Sequence, residues 1–250
     1  MDMDSRGYEH VWKKEESLES INKRIHGGWP TEKLAERAKG YCHLMFKTLF
    51  PFAAPKKDST AVEFGSGVGW IMQSMLEEFS IRKIVGLDIS NNMISKAKER
   101  WHDTRAEFVL YDGLKLPNPD NTFDTIYSVE AIQHIEKHIA FILFKELYRV
   151  LAPNGHAVLQ FLSIHHMKEF GIPFEEECWN HINNNVSAHW HHFYSYDELK
   201  VLFSELIGVD DFDIRYANMS YFVHFSKGTG RKFMKQDLSK LLELEMELLK

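Results

Sequence analysis

A glycine-rich segment near residue 65 is the part of the chain best suited to hold a ligand. The apolar run at residues 60–64 leads into Gly65, Gly67 and Gly69. Glycine lets the backbone turn sharply and lets a ligand lie directly against it. Trp70 stands where the fingerprint G-x-G-x-x-G requires its last glycine, and the Lys-Ser or Lys-Thr pair of a P-loop is absent, so neither phosphate-binding motif is complete.

Three carboxylates accompany three successive apolar runs. Glu63 lies within the first run, Asp88 directly follows residues 83–87, and Asp112 follows residues 106–110. Asp88 comes roughly 20 residues after the glycines, the spacing of a carboxylate that binds ribose hydroxyls. Glu63 would repel a pyrophosphate but suits a ligand with a positively charged amino group. The alternative interpretation is that all three are solvated acids in loops.

The elements that must position these residues are predicted from apolar runs that alternate with helical periods. Such runs are typical of strands buried on both faces of a parallel sheet, with helices on both sides. The predicted strands are residues 60–64, 83–87, 106–110, 123–128 and 157–161, with a late antiparallel pair at 212–216 and 221–225. The predicted helices are near residues 68–79, 91–101, 135–151 and 196–206. A turn at residues 152–155 is expected to end the third helix and start the next strand.

The predicted domain organisation is one main domain with additions. Residues 1–57 form an N-terminal helical cap or lid, broken at residues 26–30, and residues 58–230 form the main domain. Residues 164–192 fit neither pattern and are rich in histidine and tryptophan, so we predict an insertion over the site. Residues 231–250 are predicted to form a leucine-rich C-terminal helix.

Composition excludes several classes of protein. The chain has 250 residues, 44% hydrophobic and 26% charged, which is typical of a globular protein. Its net charge of −6, from 30 basic and 36 acidic residues, predicts neither a nucleic-acid partner nor a membrane partner. Two cysteines, no signal peptide and no long apolar stretch predict a cytoplasmic protein.

Over residues 58–163 the sequence resembles the class I S-adenosylmethionine-dependent methyltransferases, in the branch that acts on small molecules. The resemblance rests on EFGSGVG at 63–69, D at 88, DG at 112–113, FDTIYS at 123–128 and LYRVLAPNG at 147–155. It implies an α/β fold with a Rossmann-like, doubly wound, mostly parallel seven-stranded sheet, helices on both faces and an N-terminal helical cap. It also implies S-adenosyl-L-methionine as the cofactor.

The resemblance assigns the first group of cofactor residues to the glycine segment. Gly65, Ser66, Gly67 and Gly69 are expected to pack against the methionine part and the ribose of the cofactor. Glu63 is expected to face the cofactor's amino group, directly or through water.

The second group lies at the ends of the later strands. By the resemblance, Asp88 takes both ribose hydroxyls and Ile89 flanks the adenine. Asp112 accepts a hydrogen bond from the adenine amino group, with Gly113 beside it. Ser128 is expected near the methionine end.

The residues facing the methyl acceptor are predicted after the fourth strand and in the cap. His134 is the candidate catalytic base, with a structural or cofactor-supporting role as the alternative. Glu130 is expected either to pair with a cationic amine or to cap the next helix. The segment at residues 26–29 resembles an H-x-G-Y-W lid motif, although Gly28 replaces its tyrosine. The predicted lid and acceptor contacts are Tyr8, Trp12, Trp29, His165 and Trp190, with a cap of buried aromatic residues as the alternative.

No metal site is predicted. The histidines of the insertion lack the cysteines or matching carboxylates that a zinc site usually has, and lining an acceptor pocket is the favoured role for the aromatic residues there.

The predicted function is transfer of a methyl group from S-adenosylmethionine to nitrogen, oxygen or carbon of a small molecule by in-line displacement, in secondary metabolism. A small-molecule acceptor is the predicted partner, and a homodimer is allowed for. Two alternatives are a cofactor-binding protein without catalysis and a related enzyme that transfers another group of the cofactor.

Overall fold

The computed structural model describes residues 12, 16–165, 178–179, 183, 191–209 and 211–228. Tyr8, Trp190 and most of the predicted insertion therefore lie outside the described residues, as does the predicted C-terminal helix. Among the residues described, no helix is both long and apolar enough to cross a membrane.

The described strands form one seven-stranded sheet in the order β3-β2-β1-β4-β5-β7-β6. The first five strands run parallel, and β7 pairs antiparallel with both β5 and β6. The strands are β1 Thr60–Phe64, β2 Lys83–Asp88, β3 Ala106–Leu110, β4 Phe123–Ser128, β5 Leu151–Leu162, β6 Phe212–Ala217 and β7 Ser220–Ser226. The mostly parallel sheet and the late antiparallel pair are confirmed.

The helices also follow the predicted alternation. They are α1 Leu18–His26, α2 Thr31–His43, α3 Trp70–Glu78, α4 Asn91–Arg100, α5 Lys137–Val150 and α6 Tyr196–Val201. Wider π-helical turns, Leu44–Leu49 and Leu202–Ile207, continue α2 and α6, and 3₁₀ turns lie at Pro51–Ala53 and Ile132–His134. Gly27, with φ +61°, ends α1, which explains the break before α2.

The central strands are apolar throughout because both faces of the sheet are covered. Every residue of β1 is buried. Val62 packs in a core that includes residues of α5, whereas Ala61 packs in a second core with residues of α2 and α3. This arrangement removes the alternation of polar and apolar residues expected for a strand with one wet face.

The junction between α5 and β5 differs from the prediction. The predicted turn at residues 152–155 lies inside β5, which already begins at Leu151. The pairing with β4 shifts there, from Phe123 with Leu151 to Thr125 with His156, so the turn residues bulge out of the strand. Asn154, at φ +60°, takes the left-handed conformation that such a bulge requires.

The N-terminal segment lies across the ends of the strands. The Ser90 hydroxyl donates to the carbonyl of Trp12 at 2.5 Å, and the Asn92 amide donates to the carbonyl of Glu16 at 3.2 Å. Helix α2 packs on α3, where the Cys42 and Met75 sulfur atoms are 3.5 Å apart in the core. These contacts fasten Trp12 and Glu16 beside the carboxyl end of β2 and pack α2 on the sheet face that α3 also covers.

Candidate active site

A cavity of about 330 Å³ lies at the carboxyl ends of β1, β2 and β4, beneath α1 and α2. This is the edge at which an open parallel sheet binds its ligands. Predicted site residues that line it are Trp12, Glu63, Gly65, Ser66, Gly67, Asp88, Ile89, Glu130 and His134. Residues from four separate parts of the chain therefore meet at one cavity.

The glycine segment forms the floor of the cavity and is fastened to β2. The backbone N–H groups of Gly65 and Ser66 donate to the carbonyl of Leu87 at 2.8 and 3.0 Å. Gly65 has φ +71°, and a Cβ there would collide with the Cβ of Ala131. Gly67 has φ +51°, but a Cβ there would meet no atom within 4 Å. Gly65 therefore allows close packing within the protein, whereas Gly67 faces open space.

Asp88 is oriented by the backbone on both sides of its carboxylate. One oxygen accepts a hydrogen bond from the N–H of Gly67 at 2.8 Å, and the other accepts from the N–H of Ser90 at 2.9 Å. Burial raises the pKa of Asp88, and the backbone N–H donors oppose that shift. The carboxylate is thus held in one orientation against the glycine segment.

Glu63 is a buried carboxyl group, 2% exposed. One oxygen accepts from the N–H of Met72 at 3.1 Å and from the hydroxyl of Tyr127 at 3.3 Å. Burial raises the pKa of Glu63 to about 8, although both hydrogen bonds act to lower it. A cationic group placed beside it would favour the ionised form.

Gly69 does not line the cavity. It precedes α3 with φ +81°, and a Cβ would lie 2.8 Å from the indole nitrogen of Trp101 and 2.9 Å from the ring of Phe108. Its role in the structure is therefore close packing of the loop against neighbouring aromatic rings.

Asp112, Gly113 and Ser128 also lie outside the cavity lining. Asp112 is exposed, and one oxygen accepts from the N–H groups of Leu114 and Lys115 at 2.8 and 2.7 Å. Ser128 is fully buried, and its hydroxyl donates to the carbonyl of Phe64 at 2.8 Å. Neither side chain is brought into the cavity, and their contact with a cofactor stays a prediction from the resemblance.

An aromatic wall built from three separate segments closes one side of the cavity. The His134 ring lies 4.9 Å from the ring of Trp12 and 4.9 Å from the ring of His191, measured between centroids. Gln133 and His134 also approach each other, with their nitrogen atoms 3.5 Å apart. His191, which belongs to the predicted insertion at residues 164–192, lines the cavity although it was not among the predicted acceptor contacts.

A polar cluster from α2 and the loop after β4 forms another part of the wall. The carboxylate of Glu130 accepts hydrogen bonds from the Arg37 guanidinium and from the Tyr41 hydroxyl, the latter at 2.9 Å. Burial and Glu130 raise the pKa of Tyr41 to about 12, so its hydroxyl stays protonated. The backbone N–H of Glu130, which has φ +56°, donates to the side chain of Gln160 at 2.8 Å. Glu130 thus joins the cap to the sheet and does not cap a helix.

Two other predicted lid residues that the structure describes, Trp29 and His165, lie outside the lining. The Trp29 ring lies beneath the Lys33 ammonium, 3.7 Å from the ring centroid. His165 is exposed, with its backbone N–H donating to Ser163. His26, from the same motif as Trp29, does line the cavity, and burial together with Arg37 lowers its pKa to about 4.

No cluster of three or more His, Cys, Asp or Glu side chains within the described part of the chain is arranged to hold a metal ion. His166, His189 and Trp190 belong to the segments that are not described.

Comparison with known proteins relates the central segment of the chain to a described family. Residues 61–155 match a family model described as a methyltransferase domain. This match covers less than half of the chain, and it supports the resemblance of that segment to the class I S-adenosylmethionine-dependent methyltransferases.

The curated relatives match over about half of this chain. Phosphoethanolamine N-methyltransferase 2 of Caenorhabditis elegans is 33% identical over 119 residues, covering 45% of this chain and 26% of the relative. Cycloartenol-C-24-methyltransferase 1 of Oryza sativa subsp. japonica is 30% identical over 130 residues, covering 50% of this chain and 36% of the relative. The chain thus spans about a quarter to a third of the length of these relatives.

Solved structures share the fold. One is phosphoethanolamine N-methyltransferase 2 of Haemonchus contortus, in complex with phosphomonomethylethanolamine and S-adenosylhomocysteine. It superposes with a TM-score of 0.60 at 16% identity, covering 84% of this chain and 60% of that chain.

Proposed function

We propose that this chain is a methyltransferase that transfers a methyl group from S-adenosylmethionine to a small molecule bound in the cavity beneath the cap. The observation that carries the proposal is Asp88, which is held at the end of β2 by the N–H groups of Gly67 and Ser90 and which lines the cavity.

The residues present fit the cofactor. The Gly67 backbone faces open space, so a ligand can lie against it without meeting a side chain. The oriented carboxylate of Asp88 suits a diol, and the buried carboxyl of Glu63 suits an ammonium group. Ile89 and Tyr111 supply apolar surface nearby for an adenine ring.

The chain's own contribution to the reaction is positioning. S-adenosylmethionine, when bound, supplies a methyl group already activated by its sulfonium. The floor would hold the cofactor, and the aromatic wall with the cap would orient the acceptor and exclude water. Such positioning lowers the barrier without a catalytic base if the acceptor arrives in its reactive protonation state.

The acceptor class is inferred from the wall and not from the relatives. Relatives of similar identity are named for nitrogen methylation of phosphoethanolamine and for carbon methylation of a sterol. The segment they share with this chain therefore does not select the acceptor atom. The aromatic rings and the polar cluster of the wall favour a small acceptor with both apolar and polar groups.

The direct test is an untargeted assay with methyl-labelled S-adenosylmethionine and a metabolite mixture. We expect label in a product of low molecular mass, and much less of that product from an Asp88→Ala variant when the cofactor concentration is below its dissociation constant. Cofactor binding without turnover would favour the non-catalytic alternative. Label that stays in methylthioadenosine, the product left when the aminopropyl part is transferred, would favour a related enzyme that transfers another group of the cofactor.

A cytoplasmic location, a role in secondary metabolism and a homodimer stay predictions. The acidic balance of the chain supports the proposal that nucleic acids are not its substrates.

A further inference from the structure

Acidic side chains outnumber lysine and arginine side chains around the cavity. Asp88, Glu63 and Glu130 supply carboxyl groups, whereas Arg37 is the only lysine or arginine among the described lining residues. The cofactor of the proposed function carries a sulfonium, an ammonium and a carboxylate. Burying that carboxylate without a cationic partner would be costly.

The guanidinium of Arg37 has donors to spare. One of its terminal nitrogens engages Glu130, and the Tyr41 hydroxyl is a second hydrogen-bonding neighbour. Because a guanidinium has five N–H donors in a fixed fork, its remaining edge can take a second carboxylate. Burial lowers the pKa of Arg37, but Glu130 and Tyr41 raise it by more, so the group keeps its charge.

The position of Arg37 favours the cofactor's methionine end. Its partner Glu130 directly precedes Ala131, and Ala131 packs against Gly65 in the floor. Asp88, the group suited to the ribose, is held instead beside Gly67 and Ser90. Arg37 is thus tied to the part of the floor at the end of β1, near Glu63.

Helix α2 directs Arg37 toward the cavity. Leu34, Arg37, Ala38 and Tyr41 all line it, and their spacing of three or four residues places them on one face of the helix. The guanidinium carbon lies 5.3 Å from the ring centroid of Trp29 and 5.7 Å from that of Tyr41, which restricts its orientation.

We infer that Arg37 binds the carboxylate of the cofactor's methionine, so that helix α2 of the cap is part of the cofactor site and not only a cover for the acceptor. The inference rests on the proposed function, because it requires that cofactor. In this arrangement the Arg37 guanidinium binds Glu130 with one edge and the cofactor carboxylate with the other.

The test compares two ligands that differ in one group. S-adenosylhomocysteine carries the carboxylate, whereas decarboxylated S-adenosylhomocysteine keeps the adenosine, sulfur and amine. Calorimetry at one pH should show that Arg37→Gln lowers the affinity for S-adenosylhomocysteine by about tenfold or more. This is the usual effect of losing a charge-assisted hydrogen bond. The decarboxylated ligand should bind the variant within about twofold of the unchanged protein. Arg37→Lys, which keeps the charge but not the fork, should give an intermediate loss for S-adenosylhomocysteine only.

Two further variants separate direct binding from indirect effects. Lys39→Gln removes a positive charge from the same helix outside the cavity, at a residue paired with Glu78, and should change neither affinity. Glu130→Gln removes the partner of Arg37, and S-adenosylhomocysteine affinity should stay the same or rise. If Glu130→Gln instead reproduces the loss seen with Arg37→Gln, Arg37 acts only by fastening the cap, and the inference is wrong.

The remaining outcomes are also decisive. The inference would be overturned if Arg37→Gln and Arg37→Lys lowered the affinities for both ligands equally while thermal unfolding stayed unchanged. Unchanged affinity for both ligands would also overturn it and would direct Arg37 toward an acceptor anion. If the unchanged protein binds neither ligand, the cofactor assignment in the proposed function fails instead.

Discussion

The floor and the wall of the cavity are built in different ways. The floor consists of the glycine segment with Glu63 and Asp88, where backbone N–H groups orient the Asp88 carboxylate. Its central hydrogen bond joins Gly67 to Asp88, 21 residues apart. The wall consists of side chains from the cap and from the loop after β4, and its polar cluster joins Arg37 to Glu130, 93 residues apart. A floor made of local backbone is suited to one constant ligand, whereas a wall of converging side chains can change with the acceptor.

The largest expected effect is loss of binding when the floor is filled. Gly67→Val places a branched side chain where the floor faces open space, so S-adenosylhomocysteine should no longer bind measurably. The matched control is Gly208→Val, because Gly208 also has positive φ, at +75°, and no atom within 4 Å of a Cβ. Both variants should lose about 1–2 kcal/mol of stability from the left-handed backbone, while only the first loses the ligand. Calorimetry and thermal unfolding measure the two effects; tight binding by folded Gly67→Val would remove this loop from the site.

The next effect concerns the carboxylate that the floor orients. Asp88→Ala removes two charge-assisted hydrogen bonds to a ribose, each worth roughly 1.5–3 kcal/mol. It also frees the N–H of Gly67, so we expect at least a tenfold loss of S-adenosylhomocysteine affinity by calorimetry. Asp103→Ala is the control, since Asp103 is paired with Arg105 at 2.7 Å and does not line the cavity. An equal loss in both variants would mean that the effect is not specific to the floor.

The third effect is a pH dependence of folding stability that arises from Glu63. Folded Glu63 has a pKa of about 8 instead of its ordinary 4.5, because it is buried. Between those values the folded state holds one more proton than the unfolded state, so stability should fall as pH rises through this window, by roughly 5 kcal/mol in total. Glu63→Gln should match the unchanged protein near pH 5 and be more stable near pH 8.

Chemical unfolding at several pH values tests this, with the exposed Glu107→Gln as control. A cofactor ammonium beside Glu63 would lower its pKa, so ligand binding near pH 7 should release a proton. Calorimetry in buffers of different ionisation enthalpy detects that release, and its persistence in Glu63→Gln would exclude Glu63 as its source.

The difference between floor and wall also explains what could be predicted from the sequence. Strands β1, β3 and β4 were predictable to the residue, because runs buried on both faces have a pattern of their own. Asp88 was predictable because its spacing from the glycines is set by one strand-helix-strand unit. The start of β5 was not predictable, because the residues Pro-Asn-Gly are typical of both a turn and a bulge.

The polar part of the wall was hidden for a physical reason. Arg37 lies in a charged helical segment, where an arginine is usually solvated. Nothing near it in the sequence indicates that Glu130 will be its partner, because that contact depends on how the cap packs over the sheet. A positive φ at Glu130 is likewise a property of the folded loop and not of its residue type.

The smallest expected effect is on the rate of transfer when His134 is removed. If His134 were a required base, His134→Ala would lower turnover by about a hundredfold or more and flatten the pH profile. We expect instead that turnover falls little, because the ring packs between Trp12 and His191 as part of the aromatic wall. Losing such a ring contact should raise the acceptor's KM about two- to tenfold, since aromatic pairs contribute roughly 0.5–1.5 kcal/mol.

His134→Phe keeps the ring without its nitrogens, so it should restore the KM if the wall is the explanation. A phenylalanine variant as slow as the alanine variant would show that the imidazole itself acts in the transfer, and the wall would then hold catalytic chemistry as well as shape.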